Sequence, residues 1–278
     1  MDREIPTDAA FGQVTVRCER TGQVVDGDHC ISCAGTSSCF PPAYLRLLFL
    51  SQLKERSGIH VTDLTGCLRK AFFGKTEAAP PIRPGSMLPI MMGNLVHGAL
   101  EGHGGETERK VSMTLDGVTI VGSVDAVDGG IVEYKTTRWL KVGNLPYGNH
   151  KTQVLYYAVL LREMGEPVAK ATIFYLDLSG PSRCPRCKRE VIDCACGYRH
   201  TDTHRGVATF PVLFSDSELD EARAEMLGRA KALHHALEQG IAPSMEKSWL
   251  CRYCDFKETC DASRAVIVPA DTAALAAA

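Results

Sequence analysis

The sequence predicts an α/β fold in which helices flank a short mixed β-sheet, and three features favour it. β-Branched runs between residues 110 and 137 alternate with Asp-Gly steps, which is typical of a β-meander. A second pair of strands is expected at 171–178 and 206–214. Helical patterns stand before, between and after these strands, at 92–101, 152–164 and 217–239.

The remaining elements follow from local start and stop signals. Proline is tolerated in the first turn of a helix, threonine caps helix N-termini, and glycine ends helices. Gly240 is therefore expected to close the last helix. The first 85 residues are expected to hold strand-like runs at 13–18 and 23–25, a helix from Pro41-Pro42 to about Arg56, a helix over 63–73 with Thr62 as N-cap and Gly74 as its end, and a proline-rich connector over 78–85.

Composition limits the class of protein. The 278 residues include 31 Lys and Arg against 33 Asp and Glu, a formal charge of −2, which excludes a histone-like polycation. The amino-terminal sequence has no apolar stretch, which predicts no signal peptide, and no apolar run approaches the ~20 residues of a membrane span. We therefore expect a cytoplasmic protein whose 12 cysteines are reduced and available to bind metal.

Two carboxylates and a lysine fall on one predicted hairpin. If Asp128-Gly129-Gly130 forms its loop, Asp125 lies opposite Glu133, and Lys135 shares their face because side chains alternate along a strand. Opposed like charges destabilise a sheet, a divalent cation between them would remove the repulsion, and oxygen ligands favour Mg²⁺ or Mn²⁺. An exposed hairpin face with an ordinary Glu–Lys pair is the alternative.

Three further residues complete an ordered pattern with this hairpin. His97 precedes it on a helix, and Gln153 and Tyr157 follow it on one face of another helix. The order His97…Asp125…Glu133-x-Lys135…Gln153-x-x-x-Tyr157 resembles the PD-(D/E)xK nuclease superfamily, and within it the RecB-type branch. Val124 departs from this pattern, because the residue before the aspartate is commonly proline in the superfamily.

The resemblance implies a restriction-endonuclease-like core over residues 43–260 and a metal-dependent DNA exonuclease that acts on single-stranded ends. It further implies a role in CRISPR adaptation, recombination or phage DNA processing. The residues that would carry the reaction are the Mg²⁺ or Mn²⁺ ligands His97, Asp125 and Glu133, the assisting Lys135, and Gln153 and Tyr157, which would position DNA or support Lys135. The sequence itself adds a basic stretch of Lys135, Arg138, Lys141 and Lys151, interleaved with Trp139 and Tyr147, that would suit single-stranded DNA through backbone contacts and base stacking. A solvated loop with chance aromatics is the alternative.

Cysteines at both ends of this core carry a second part of the resemblance. Cys251, Cys254 and Cys260 are one thiolate short of a four-thiolate site, and Cys67 is the only cysteine outside any cluster. The arrangement looks like that of the iron-stapled RecB-type nucleases, among them the CRISPR-associated exonucleases, which hold a [4Fe–4S] cluster with one N-terminal and three C-terminal cysteines. Thiolates also suit Zn²⁺, so the spacing alone leaves the metal open.

The other eight cysteines form two groups outside the shared pattern. The first group could bind Zn²⁺ or another metal, or consist of free thiols. The second group resembles a zinc ribbon knuckle, and its basic loop could either contact a phosphate backbone or a partner or be a solvated loop that needs metal to fold. The first group is Cys18, Cys30, Cys33 and Cys39, with His29 as an alternative ligand. The second is Cys184, Cys187, Cys194 and Cys196, with His200 and His204 as possible substitutes.

These patterns divide the chain into a cysteine-rich module over 1–42, a nuclease domain over 43–260 with a zinc-ribbon-like insertion at 180–205, and a tail over 261–278. DNA is the expected partner, together with proteins of CRISPR adaptation or recombination, and an oligomer is compatible with the family. Two other functions remain open. One is a non-cleaving DNA-binding adaptor, and the other is a zinc-dependent transcription regulator, which leaves the hairpin unexplained.

Overall fold

A mixed β-sheet forms the centre of the molecule. The computed structural model describes residues 10–37, 39–53, 57–100, 106–137, 140–179, 183–184, 186–197 and 206–263. Six strands in this part of the chain form a sheet of order β3-β5-β6-β7-β8, with β4 along the other edge of β5. They are β3 (Ile59–His60), β4 (Glu106–Leu115), β5 (Val118–Val127), β6 (Ile131–Thr137), β7 (Lys170–Asp177) and β8 (Val207–Leu213).

Helices flank this sheet, which confirms the predicted α/β class. Strand β3 runs parallel to β5 and β6 parallel to β7, whereas the other neighbours are antiparallel. A separate ribbon pairs β1 (Thr15–Arg17) with β2 (Val24–Asp26). The helices are α1 (Gly27–Ser37), α2 (Pro42–Gln52), α3 (Val61–Leu64), α4 (Leu68–Thr76), α5 (Leu88–Leu100), α6 (Gly148–Glu163), α7 (Asp216–Gln239) and α8 (Lys257–Ala262).

The long helix α7 shows how closely local signals define an element. Its N-cap is Ser215, whose hydroxyl accepts a hydrogen bond from the backbone of Glu218, and the Glu218 carboxylate accepts one from the Ser215 backbone N–H. Acidic residues in a first turn also complement the helix dipole. Gly240 ends the helix at φ 65°, a left-handed conformation that glycine adopts readily, as expected.

The helix predicted over 63–73 was wrong, because the chain forms two helices there. The first, α3, begins after His60, whose backbone N–H donates to Asp63, and not after Thr62. Arg229 on α7 then binds the carbonyl oxygens of Leu64 and Gly66, so these groups are taken by a side chain instead of by a continuing helix. The second helix, α4, passes through Gly74 and ends at Thr76.

Other predicted bounds also shifted, among them the start of the helix predicted at 152–164, which begins at Gly148. Helix α2 ends at Gln52, where the N–H of Leu53 bonds to Leu50 in a tightened last turn, and residues 54–56 lie outside the described part of the chain. Helix α5 starts at Leu88 and not at 92, since a 3₁₀ turn over Pro84–Met87 leads into it. The connector over 78–85 is extended only in part. The 3₁₀ turn begins inside it at Pro84, whereas Ile82 is extended and forms a β-bridge with Val16 of β1.

The described residues form two hydrophobic cores. The larger lies between the sheet and helices α6 and α7, and α6 is buried on nearly all sides, as expected of a helix that is apolar around its circumference. The smaller core joins β1 and α1 to α2 and α5, and so crosses the boundary expected after residue 42. No helix in the described ranges is long and apolar enough to cross a membrane.

Candidate active site and metal centres

The hairpin between β5 and β6 has the predicted register at its loop. Ala126 pairs with Val132 and Val127 with Ile131. The ladder then stops, so that Asp125 does not pair with Glu133 across the strands. Instead, the Asp125 carboxylate accepts a hydrogen bond of 2.8 Å from the Tyr134 backbone N–H. The Asp125 side chain thus takes the place of a backbone hydrogen bond between β5 and β6. The two strands diverge at this point, and the space between them forms the candidate site.

Glu133, Lys135, Gln153 and Tyr157 form one hydrogen-bonded network. The Lys135 ammonium donates to Glu133 Oε1 at 2.5 Å and to Gln153 Oε1 at 2.9 Å. The Gln153 amide donates to Glu133 Oε1 at 2.9 Å and to the Tyr157 hydroxyl oxygen at 3.0 Å. Gln153 of α6 therefore holds both the Glu133 carboxylate and the Lys135 ammonium in place. Glu133 and Lys135 lie on the same face of β6, as predicted.

Glu133 is an interior carboxylate. Only 1% of the residue is exposed, and burial raises its pKa to about 7, against the opposing effect of Lys135 and the added effect of Asp125. An ionised group without full compensation is costly to bury. This finding removes the alternative of an ordinary exposed Glu–Lys pair, because α6 covers the face of the sheet that the alternative leaves in solvent.

His97 meets Asp125 from α5. Its Nδ1 lies 3.5 Å from Asp125 Oδ1, and the hydrogen bond to that carboxylate raises the pKa of His97, although burial opposes it. The imidazole also packs edge-on against Tyr134. A cavity of about 10 Å³, close to the space that one water needs, lies between His97, Leu100, Glu108, Asp125 and Tyr134.

The chemistry of these donors suits a divalent cation, although the ligand atoms of His97, Asp125 and Glu133 do not all lie within 4.8 Å of one another in the described residues. Carboxylate oxygens suit Mg²⁺ and Mn²⁺, and a histidine nitrogen is compatible with Mn²⁺. The structural test is Glu133 Oε2, which is buried without any hydrogen-bond partner in the described residues. Buried polar atoms are nearly always partnered, so an unpartnered carboxylate oxygen beside Asp125 and His97 is consistent with an unfilled coordination position.

Three residues around this site were not predicted from the sequence. Glu108 lies between the Thr107–Ala126 and Arg109–Val124 pairs of β4 and β5 and lines the same cavity. His150 bonds the Tyr175 hydroxyl at 2.8 Å, and Tyr175 is the β7 partner of Lys135. Burial and then Lys135 lower the pKa of His150 to about 4, so this imidazole is neutral. Helical spacing could have revealed His150, which precedes Gln153 by three residues on α6.

The cysteines at 184–196 converge on one point. Their sulfur atoms all lie within 4.8 Å of one another, and three separations are 3.5, 3.5 and 3.2 Å. In the described residues this is the set of donors that could hold a metal ion by mutual distance alone. The four residues are Cys184, Cys187, Cys194 and Cys196, and the suggested substitutes His200 and His204 lie outside the described ranges, as do Arg138 and Trp139.

The first cysteine group lies around one cavity. Cys18, Cys30, Cys33 and Cys39 all line a space of about 130 Å³, which His29 also borders. Burial, followed by the nearby thiols of the other three cysteines, raises the pKa of Cys30 to about 11. The four residues therefore line one cavity together.

The four residues proposed for the iron staple lie on two elements that touch. Phe73 of α4 stacks on Phe256 with ring centroids 6.1 Å apart, and Lys70 lies 3.8 Å from the carboxylate of Asp255. Cys67 is the N-cap of α4, and Cys251, Cys254 and Cys260 belong to the C-terminal segment around Phe256. The fold thus joins the two parts of the chain that carry these cysteines.

Comparison with known families identifies the fold of this site. A model of the PD-(D/E)XK nuclease superfamily matches residues 103–261, which is more than half of the chain. This chain belongs to the PD-(D/E)XK nuclease superfamily. The match includes Asp125, Glu133 and Lys135, and it begins after His97. The resemblance read from the carboxylate–lysine pattern is therefore confirmed at the level of the superfamily.

Solved structures show only distant likeness to this PD-(D/E)XK protein. SSO0001 is 21% identical at a TM-score of 0.47, covering 78% of this chain and 91% of its own. A phage-related exonuclease from Haemophilus somnus 129PT is 10% identical at a TM-score of 0.35, covering 69% and 99%. A putative exonuclease from Eubacterium rectale is 13% identical at a TM-score of 0.35, covering 89% and 92%. No curated protein matches the chain significantly.

Proposed function

We propose that this PD-(D/E)XK protein is a divalent-metal-dependent deoxyribonuclease that hydrolyses phosphodiester bonds at the ends of single-stranded DNA. The observation that carries the proposal is Glu133, a buried carboxylate with one unpartnered oxygen, beside Asp125 and bonded to Lys135. Such an arrangement costs stability unless a cation and a substrate use it. Cleavage is therefore a better account than a scaffold, which gains nothing from a buried charge.

Each residue has a role that follows from its contacts. Asp125, Glu133 and His97 would hold Mg²⁺ or Mn²⁺, which when bound polarises the phosphate and promotes ionisation of water. Lys135 is held by Glu133 and Gln153, so its ammonium is an oriented donor for charge that develops on the phosphate oxygens. Gln153 and the Tyr157 hydroxyl position this pair from α6.

Two of the cysteine sets would stabilise this domain with metal. Cys67, Cys251, Cys254 and Cys260 would bind a [4Fe–4S] cluster, which the contact between α4 and the C-terminal segment supports. The sulfurs of Cys184, Cys187, Cys194 and Cys196 would bind one Zn²⁺. A zinc ion in tetrahedral coordination, with Zn–S bonds of about 2.3 Å, holds its sulfur ligands about 3.8 Å apart. The sulfur–sulfur separations of 3.2–3.5 Å in this group are close to that distance.

The motif set resembles that of the RecB-type branch. This resemblance supports DNA as the substrate, single-stranded ends as the place of cleavage, and a role in CRISPR adaptation, recombination or phage DNA processing. The basic residues near the site add to this support. Lys151 is exposed at the start of α6, three residues before the helix reaches the buried Val154, and Tyr147 is 41% exposed just before that helix. A phosphate backbone and an exposed base could both be bound there.

The test compares linear and circular single-stranded DNA of the same sequence in the presence of Mn²⁺. We expect the parent protein to release short products from the linear strand and to leave the circle intact. Lys135→Met should slow cleavage on the order of 100-fold or more, because one oriented donor is lost. Lys231→Met, at an exposed position on α7, is the matched control and should cleave like the parent protein.

Three results would change the proposal in different ways. Cleavage of the circle would make the enzyme an endonuclease. Binding of DNA without cleavage across Mg²⁺, Mn²⁺ and Zn²⁺ would favour the adaptor function. Equal rates for Lys135→Met and the parent protein would show that the site is wrongly assigned.

A further inference from the structure

The four-cysteine cavity in the N-terminal part of the chain lies outside the nuclease site. Cys30 and Cys33 are three residues apart on α1, so they share a face of that helix. Cys18 follows β1 and Cys39 follows α1. Their spacing predicted Zn²⁺, like that of the second cysteine group, but the structure arranges the two groups differently.

Sulfur separation distinguishes the two groups. A single tetrahedral ion needs all its sulfurs about 3.8 Å apart, and the group at 184–196 meets that requirement. Within the described residues, no three thiols of the N-terminal group come within 4.8 Å of one another, although all four line the same cavity. As they are placed, these sulfurs could not all bind one zinc ion without moving closer together.

The size of the cavity that the four cysteines line agrees with the wider separation of their sulfurs. The cavity measures about 130 Å³, roughly ten times what a single water needs. A tetrathiolate ion leaves no such space between its sulfurs. In a [4Fe–4S] cluster, each thiolate binds a different iron at the corners of a polyatomic core, so the sulfurs stand apart around a filled volume.

The lining of the cavity is suited to such a group. Besides the four thiols, its walls include Val16, Val25, Phe40 and Leu45, which belong to or pack against the smaller core. An apolar wall limits access of solvent to a cluster and tunes its potential. We propose that Cys18, Cys30, Cys33 and Cys39 bind a [4Fe–4S] cluster of their own, separate from the staple and from the zinc site.

The test counts iron, acid-labile sulfide and zinc per chain in the full-length protein purified without oxygen. Cys30→Ala combined with Cys33→Ala should lower iron and sulfide by about four each and leave zinc unchanged. Cys194→Ala combined with Cys196→Ala is the matched control and should remove about one zinc with no change in iron. Loss of one zinc from the first variant, or no change in any metal, would overturn the proposal.

A second variant keeps the test decisive if the first does not fold. Cys254→Ala combined with Cys260→Ala removes two of the proposed staple ligands and leaves the N-terminal cavity intact. This variant should still contain about four irons and absorb as an iron–sulfur protein. A preparation of it that contains zinc and no iron would overturn the proposal, whatever the state of the staple in the parent protein.

Discussion

Replacing Glu133 by glutamine removes a negative charge from the interior and keeps the shape of the side chain. Glutamine resembles the protonated acid, so it can still accept from Lys135 and Gln153. The variant should lose cleavage activity because it lacks a metal ligand. It should also be more stable than the parent protein when Mg²⁺ and Mn²⁺ are absent, and the gain should depend on pH.

The magnitude follows from the pKa of Glu133. Burial raises it from 4.5 to about 7, so the folded protein holds a proton that the unfolded chain has lost between these values. Below pH 4.5 both states are protonated and the carboxyl costs nothing. As pH rises, stability falls, and above pH 7 the cost reaches about 3 kcal/mol, since each pKa unit corresponds to about 1.4 kcal/mol.

Thermal unfolding at pH 5 and pH 8 measures this effect. At pH 5 the gain of Glu133→Gln should be about 1 kcal/mol, and at pH 8 about 3 kcal/mol, a rise in the unfolding midpoint of roughly 6–12 °C. Mn²⁺ at a hundredfold excess over its Kd should stabilise the parent protein by about 2.7 kcal/mol and the variant by much less.

Asp128→Asn is the matched control, because Asp128 lies exposed in the loop of the same hairpin. It should unfold like the parent protein at both pH values. A Glu133→Gln variant that is less stable than the parent at pH 8, or equally stabilised by Mn²⁺, would refute the reasoning that a buried charge awaits a cation.

Three further predictions concern the positioning and the backbone of the site. Gln153→Ala should lower kcat by about tenfold and leave KM nearly unchanged, and steady-state cleavage kinetics will check it, with an effect confined to KM counting against a positioning role. His97→Ala should raise the Mn²⁺ concentration needed for half-maximal cleavage on the order of 10-fold or more, and an unchanged Mn²⁺ titration would remove His97 from the ligands. Gly130→Ala should cost roughly 3 kcal/mol in denaturant unfolding, since its Cβ would lie 2.7 Å from the Lys170 carbonyl oxygen, whereas Gly129→Ala, with open space around it, should cost only ~1 kcal/mol. Equal costs for the two glycines would contradict the packing described for the hairpin.

The elements that the sequence predicted well are those whose signals are local. Gly240 at the end of α7 and the loop at 128–130 act within a few residues, so that helix end and the register next to the loop could be derived from spacing. The pairing of the strands at 171–178 and 206–214 is likewise confirmed, with β7 and β8 antiparallel.

The elements that could not be predicted depend on distant residues. The break between α3 and α4 arises because Arg229, more than 160 residues away, binds the carbonyls there. Glu133 is buried because α6 covers it through Gln153, which no alternation pattern reveals. Similarly, Zn²⁺ was predicted for both cysteine groups, and only the separation of their sulfurs distinguishes a site for one ion from a larger cavity.

The central claim is that Asp125, Glu133 and Lys135 form the site of a metal-dependent DNA nuclease. Its most direct test is the single-turnover rate at which the parent protein and Asp125→Asn cleave end-labelled linear single-stranded DNA with Mn²⁺. The parent protein should cleave, and Asp125→Asn should be slower on the order of 100-fold or more, with Asp128→Asn equal to the parent. Cleavage by Asp125→Asn at the parent rate, or no cleavage by the parent protein, would contradict the claim.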